Sequence, residues 1–454
     1  MSSTRLATFK QSAKLAWPIS LQSILVTMLG MVDIIMVGHL GDTAVAAVGI
    51  GNRVQFVLLI FMTGLAGGVG VLSAQYFGAN ALKRISQTAV MATIVAIVLL
   101  IPLIVINFYV ADDIVSMASN DSQLVSLGAS YLRICIPGLL FIAVVQIIEN
   151  SFRAMSKTKT PMVFGVIAIL LNIVLNHWFI NGGLGIPAQG VDGAAWATTI
   201  SRAVHLCIIV YAVTKINSAA NPKYLALSDF NQYNQWLKLF KIAIPMMLSY
   251  GVWSSGTFVY QLIYGQLGTQ ELAVMSLLTP IEGLFIALFF GFASACSIQI
   301  GHKLGQNDFA YAWRLAKGFS LSAPIIAITF GAIALSMQSY IFLPFDKLPE
   351  QTLTLAREVF VLIALGTCIK IYNMTIAIGI LRAGGDNRYC LFIDTVGMWV
   401  ISIPLTFIAA YYFKFPLFWV AFTAYSEEFV KFFMFTYRMK GKYWLKNLTS
   451  EMSN

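Results

Sequence analysis

The stretch TAVMATIVAIVLLIPLIVI, residues 88–106, holds no charged side chain, and the uncharged window around it runs from Arg84 to Asp112. That is long enough to cross the hydrocarbon core of a bilayer as a helix. Similar windows lie between Lys14 and Asp33, Arg53 and Lys83, and Lys241 and Glu271. Others separate Lys159 from Asp192, Glu282 from Lys303, and Lys317 from Asp346. Inside lipid every backbone N–H and C=O must find an internal partner, which leaves helices or closed barrels. A barrel strand alternates polarity over about ten residues. Residues 88–106 do not alternate, so the chain is read as an all-α integral membrane protein. About twelve spans are expected, near 15–38, 48–74, 87–110, 128–152, 162–181, 193–214, 240–265, 274–300, 314–343, 355–381, 389–412 and 416–437.

Composition agrees with this reading. Of 454 residues, 58% are hydrophobic and 11% charged, against about a quarter charged in a soluble domain. Cytoplasmic loops of membrane proteins concentrate Lys and Arg. With both termini inside, most of the 29 Lys and Arg fall on the inner side, among them Lys83, Arg84, Lys157, Lys159, Lys215, Lys223 and Arg388. Lys347, Arg357 and Lys414 fall outside. The net charge of +10 then follows from topology and the anionic inner leaflet, and no nucleic-acid partner is needed. The five cysteines, Cys135, Cys207, Cys296, Cys368 and Cys390, have no spacing suited to metal or disulfide and read as small core residues. The four histidines, His39, His177, His205 and His302, have no ligand spacing, and no metal or cofactor is expected. The first apolar segment is too long for a cleaved signal and should remain as span 1.

The chain repeats itself. Gly38-His39-Leu40-Gly41 recurs as Gly265-Gln266-Leu267-Gly268, and Phe77-Gly78-Ala79-Asn80 as Leu304-Gly305-Gln306-Asn307, both at an offset of 227. Pro18 pairs with Pro245 at that offset, and Phe152-Arg153-Ala154 is echoed by Leu381-Arg382-Ala383. The expected organisation is a six-helix half at 1–214, a polar cytoplasmic linker at 215–239 carrying Asn221-Pro222, and a second six-helix half at 240–454. Repeats of this kind bind substrate near the bilayer midplane, where the halves meet.

Trp17-Pro18-Ile19, the turn between spans 1 and 2, Phe77-Gly78, Gly301-His302-Lys303-Leu304-Gly305 and the paired Arg153 and Arg382 loops resemble the MATE family, the multidrug and toxic compound extrusion transporters, over essentially the whole chain. The resemblance implies a monomeric antiporter. It would expel amphipathic, often cationic, compounds against an inward H⁺ or Na⁺ gradient, alternating between V-shaped outward- and inward-open states. One branch of that family carries coupling carboxylates in spans 7 and 10. Counting from Pro245 and Arg382, this chain has Trp253 and Tyr372 there. Asp33 in span 1 is instead similar to the DNA-damage-inducible and archaeal branch. That branch has a second carboxylate in span 5, four residues after an asparagine; here the pair is Asn172 and Asn176. Asp33 is then the main titratable group, which favours H⁺ over Na⁺ as the coupling ion.

An ionised acid at the centre of a span costs about 2.5–3.5 kcal/mol on insertion scales, so Asp33 is the first candidate proton carrier. The plain alternative is a structural carboxyl near the outer mouth. Asn172 and Asn176 share a helix face, and an amide can serve either protonation state of an acid; they are read as network members, with interhelical packing as the other reading. Thr198 in span 6 joins the candidates on the resemblance. Pro18 removes one helical hydrogen bond and marks a hinge or a static bend in span 1. Glu149 lies one turn before Arg153, where a local ion pair is the default. Glu282 has no cation near it in sequence and is a candidate second proton or cation group. Asp394 is a candidate acid that span packing can pair with Lys370. Glu427, Glu428 and Lys431 read as a partly wet face or a local pair.

Other readings stay open. A flippase for a lipid-linked precursor would want a strongly basic cavity, whereas the bases placed inside spans are Arg53, Arg133, Arg202, Lys370 and Lys431. A membrane enzyme would need a catalytic constellation, and none is found. A passive channel fits an internal acid and a two-half repeat less well than alternating access does. Compact loops and the lack of a targeting segment suggest a bacterial inner membrane with both termini cytoplasmic.

Overall fold

The computed structural model describes residues 2–183, 185–215, 227–230, 232–345 and 349–449, together with Asn221 and Leu225; side chains of 2–8, 227, 228 and 344 are outside the description. The described residues are nearly all helical. Pro222, Lys223 and Lys347, named above, lie outside the described residues.

The first half contains α1 (Ser2–Val37), α2 (Asp42–Gly78), α3 (Leu82–Ser116), α4 (Ser122–Cys135), α5 (Gly138–Ala154), α6 (Lys159–Asn181) and α7 (Gly190–Lys215). The second contains α8 (Tyr233–Leu267), α9 (Thr269–Gly305), α10 (Phe309–Ser336), the short α11 (Gln338–Phe342), α12 (Glu350–Met374), α13 (Asn387–Thr395), α14 (Ile403–Phe407), α15 (Leu417–Ala424) and α16 (Ser426–Lys440). α12 runs on into a π-helical stretch, Thr375–Leu381, and α14 lies between two more, Val396–Ser402 and Ile408–Tyr412. By length and composition, ten of the described helices can cross a membrane, and an eleventh span forms if α4 and α5, bent by 42° at Ile136-Pro137, count as one. Residues 416–437, expected as one span, form two short helices that meet at Tyr425, and the second of them, α16, carries Glu427, Glu428 and Lys431. Large apolar side chains such as Val26, Ile35, Val98, Tyr109, Leu321, Ile325 and Phe433 are exposed, as lipid-facing surfaces require.

The repeat is visible in backbone geometry. α2 and α9 begin and end at the repeat offset. Asn80 and Asn307, also at that offset, have φ of 58° and 59°, a left-handed conformation that asparagine tolerates better than most residues. The polar linker is shorter than expected, because α8 begins at Tyr233.

The chain divides into two compact units, Leu21–Met247 and Met1–Ser20 with Leu248–Asn454. The cuts fall inside α1 and α8, two residues past Pro18 and Pro245, rather than in the polar segment between the halves. In the first unit α2 packs on α3, α4 and α5, and α6 on α7. The start of α8 lies against α2 so closely that a Cβ on Gly64 would meet the Met247 backbone nitrogen at 2.6 Å. In the second unit α9 packs on α10 and α12, and Leu15 and Ile19 of α1 are buried with Ala295 and Ile298. Gln299 donates to Ser12 at 2.9 Å, and the Ser20 hydroxyl donates to the Leu288 carbonyl.

Candidate functional site

Four of the candidate residues meet within the first unit. Asn176 Nδ2 donates to Asp33 Oδ1 at 2.7 Å and to Asn172 Oδ1 at 3.0 Å. Asn172 Nδ2 in turn faces Thr198 Oγ1 at 3.4 Å and Ser201 Oγ at 3.3 Å. The line runs from α1 through one face of α6 to α7, because residues four apart on a helix stack one above the other. Asn172, Asn176, Thr198 and Ser201 are buried, and Asp33 is partly exposed. Asn176 Oδ1 is buried without a hydrogen-bond partner. Arg202, the residue after Ser201, is held by Gln55 Oε1 at 2.8 Å, and its charge reaches the Asp33 carboxylate.

A second cluster sits elsewhere in the same unit. Gln22 Nε2 donates to Glu149 Oε1 at 2.8 Å, while Arg153 Nη2 donates to Gln22 Oε1 at 2.8 Å and to Glu149 Oε2 at 3.1 Å. His205 Nε2 lies 3.5 Å from Glu149 Oε1. The local Glu149–Arg153 pair expected from spacing is present, with Gln22 of α1 clamped into it.

The second unit holds a longer ionic chain. Lys370 of α12 pairs with Glu282 of α9 at 2.7 Å, and Tyr425 donates to the same carboxylate oxygen at 3.2 Å. Arg382 lies 3.4 Å from Asp394 and donates to Ser249 Oγ at 2.8 Å, and the Ser249 hydroxyl donates to Asp394. Lys431 stands 3.6 Å from both Asp394 Oδ1 and Glu427 Oε2. One expectation is corrected here, the pairing of Asp394 with Lys370. Glu282 has a cation partner, supplied across helices. Asp394 pairs with Arg382 and Lys431, and Lys370 is taken by Glu282. Glu427, Glu428 and Lys431 are 5–6% exposed, so they are not a wet face, though the Lys431–Glu427 pair one turn apart is present.

The sequence profile of the MatE family matches residues 18–178 and 245–408, one block in each half and more than half of the chain together. The chain belongs to the MatE family. Solved structures of similar fold agree with that membership. One is described as the outward-facing conformation of a multidrug resistance MATE family transporter of the MOP superfamily, with 20% identity, 96% of each chain covered and a TM-score of 0.86. Another is a Vibrio cholerae MATE transporter bearing an aspartate-to-asparagine substitution, with 15% identity, 98% of this chain and 100% of that one covered and a TM-score of 0.86. A third is a MOP superfamily transporter from Pyrococcus furiosus, described by a reversed polarity of its binding pocket that suggests a different function, with 20% identity, 96% of each chain covered and a TM-score of 0.85.

Within this MatE chain the structure joins Asp33, Asn172, Asn176 and Thr198 into one line, and it leaves Glu149, Glu282 and Asp394 in other clusters. Pro18 lies inside an uninterrupted α1 and belongs to none of them. Ser201, Arg202 with Gln55, and the Gln22–His205 clamp were not singled out from sequence. Ser201 and Arg202 had a readable signal, since they follow Thr198 by three and four residues and so share its helix face. Gln22 and His205 had none, because their partners come from other helices.

Proposed function

We propose that this chain is a proton-driven exporter of amphipathic, cationic compounds, of the MatE branch whose coupling carboxylate lies in the first half, and that Asp33 is its proton carrier. The observation that carries the reading is the Asp33–Asn176 bond: a lone carboxylate in an uncharged stretch of α1 faces a buried amide that donates through Nδ2 while its Oδ1 has no partner. Ionised, Asp33 accepts from the amide. Protonated, it has an O–H to give, and the amide can turn to offer the oxygen that nothing else uses. Loss of charge removes the attraction for a cationic substrate and weakens the tie between α1 and α6 from a charge-assisted to a neutral hydrogen bond. α1 then repacks beyond Pro18, where a helical hydrogen bond is already missing, and the substrate leaves.

The ligand set supports H⁺ over Na⁺. Asp33 is bonded by the neutral amide of Asn176, and the positive charge of Arg202 reaches it, whereas a sodium site wants several oxygens of net negative charge. A description as a multidrug resistance transporter, printed for one solved relative, is carried to this chain as part of the proposal, as are a bacterial inner membrane, cytoplasmic termini and a monomeric state. Inverted membrane vesicles test it. A lipophilic cationic drug should dissipate a preformed pH gradient with the wild-type chain and not with Asp33→Asn. Gradient loss in both chains moves coupling to another acid, and drug flux driven only by Na⁺ overturns the proton assignment.

A further inference from the structure

The ionic chain of the second unit does not balance. Its carboxylates are Glu282, Asp394, Glu427 and Glu428, and its cations are Lys370, Arg382 and Lys431. Each cation is used: Lys370 by Glu282, Arg382 by Asp394, and Lys431 by Asp394 and Glu427. Among the described residues Glu428 has no cation within 4 Å. Its Oε2 accepts from Asn373 Nδ2 at 2.8 Å, and so does its own backbone carbonyl. Both neighbours are acceptors, which fixes the amide with Nδ2 toward Glu428 and leaves Oδ1 of the buried Asn373 without a partner. Glu427 Oε2 is likewise buried with no hydrogen bond, and the Lys431 ammonium 3.6 Å from it is divided with Asp394, so the cluster keeps one carboxylate more than its cations balance. An unpaired ion away from water is costly enough that such a group neutralises instead, and adjacent acids in one site do not both ionise readily.

We infer that this buried cluster is a second proton-exchange site, in the other half from Asp33, and that its one carboxylate in excess of its cations is balanced by a proton held at Glu427 or Glu428. The groups that face it are few. α12 contributes Lys370 and Asn373, α13 contributes Asp394, α8 contributes Tyr260 and Tyr264, Tyr425 comes from the start of α16, and α16 itself supplies Lys431. Arg382 acts on Asp394 rather than on the pair. The proton comes from the aqueous phase, binds at Glu427 or Glu428, and returns to water when the cluster opens. π-helical stretches lie beside it on two sides, at Thr375–Leu381 and Val396–Ser402. Such local rewinding is frequent at functional sites.

The inference rests on the proton-driven reading for its role, but its test reads protonation and needs no transport. Infrared difference spectra of the purified full-length chain, recorded while pH is stepped, report the carbonyl band of a protonated carboxyl. Asp33→Asn should keep a titrating band, and Glu427→Gln with Glu428→Gln, Asp33 intact, should lose one component. Lys431→Met should gain a component, because removing a cation obliges the cluster to bind one more proton. An unchanged band in the glutamine variant overturns the inference. So does the absence of any gain in Lys431→Met, which keeps the test decisive even where the glutamine variant does not fold. Failure of the vesicle experiment with the band intact would refute coupling through Asp33 and leave the second site standing.

Discussion

Gln22 and Ser249 hold the same place in the two halves: each lies four residues past a proline inside its helix, and each accepts a hydrogen bond from an arginine at 2.8 Å, Arg153 for the one and Arg382 for the other. In each case an acid completes the knot, Glu149 or Asp394. The compact units change over within α1 and α8 one residue before these clamps. A helix that lacks a hydrogen bond at proline and is pinned just beyond it has a defined point at which to bend, which argues for α1 and α8 as the elements that reshape during a cycle.

The first clamp should be costly to cut from one side. Arg153→Met leaves the buried Glu149 carboxylate with Gln22 and His205, and breaking a buried pair by removing one partner costs about 3–5 kcal/mol. Arg153→Met with Glu149→Gln should cost clearly less. Thermal unfolding of the purified variants in detergent reads the order, and equal losses would show that the arginine acts through packing instead.

Gly64 and Gly30 make a matched pair. A Cβ on Gly64 would sit 2.6 Å from the Met247 nitrogen, whereas one on Gly30 meets nothing within 4 Å. Gly64→Ala should therefore destabilise by about 1–3 kcal/mol through overpacking. Gly30→Ala should be neutral or stabilise by up to about 1 kcal/mol, the helix-propensity difference. The same unfolding assay separates them.

Much of the fold is legible in the sequence because lipid makes composition decisive: charge-free windows place the spans, and the repeat places the halves. For the Asp33–Asn172–Asn176 line, the uncharged window singles out Asp33, whereas Asn172 and Asn176 come from the resemblance to the family's span-5 pattern. Cross-helix pairs are not legible. That Glu282 meets Lys370 and Asp394 meets Arg382 depends on helix rotation, which spacing along one helix does not report. The break at Tyr425 within 416–437 is not legible for a related reason, since its side chain answers to another element, the hydroxyl donating to Glu282.

The Glu282–Lys370 pair is open to a double-mutant cycle. Glu282→Gln strands Lys370 beside the Tyr425 ring, 5.5 Å from its centroid, and Lys370→Met strands the carboxylate. Each should destabilise, and the double variant should recover part of the loss, with a coupling energy of about 0.5–3 kcal/mol. Strictly additive losses would mean that the two groups, though 2.7 Å apart, do not depend on each other.

Asn176 offers the sharpest separation of structure from coupling. Asn176→Leu removes the donor to Asp33 and also the donor to Asn172. A hydrogen bond to a charged group contributes about 1.5–3 kcal/mol. If that energy favours ionised Asp33 during substrate capture, drug-dependent loss of the pH gradient should fall by about tenfold or more at fixed protein amount. Asn176→Asp replaces the amide with a second carboxylate facing Asp33. Two acids at such distance share a proton, so drug-linked H⁺ movement should persist, with its pH optimum moved upward, and a dependence on Na⁺ should appear because the site gains negative oxygens. Efflux by Asn176→Leu at the wild-type rate would remove Asn176 from the coupling path and leave it as packing between α1 and α6. Retained efflux in Asn176→Asp with neither a pH shift nor any response to Na⁺ would mean that Asp33 works without reference to its neighbour.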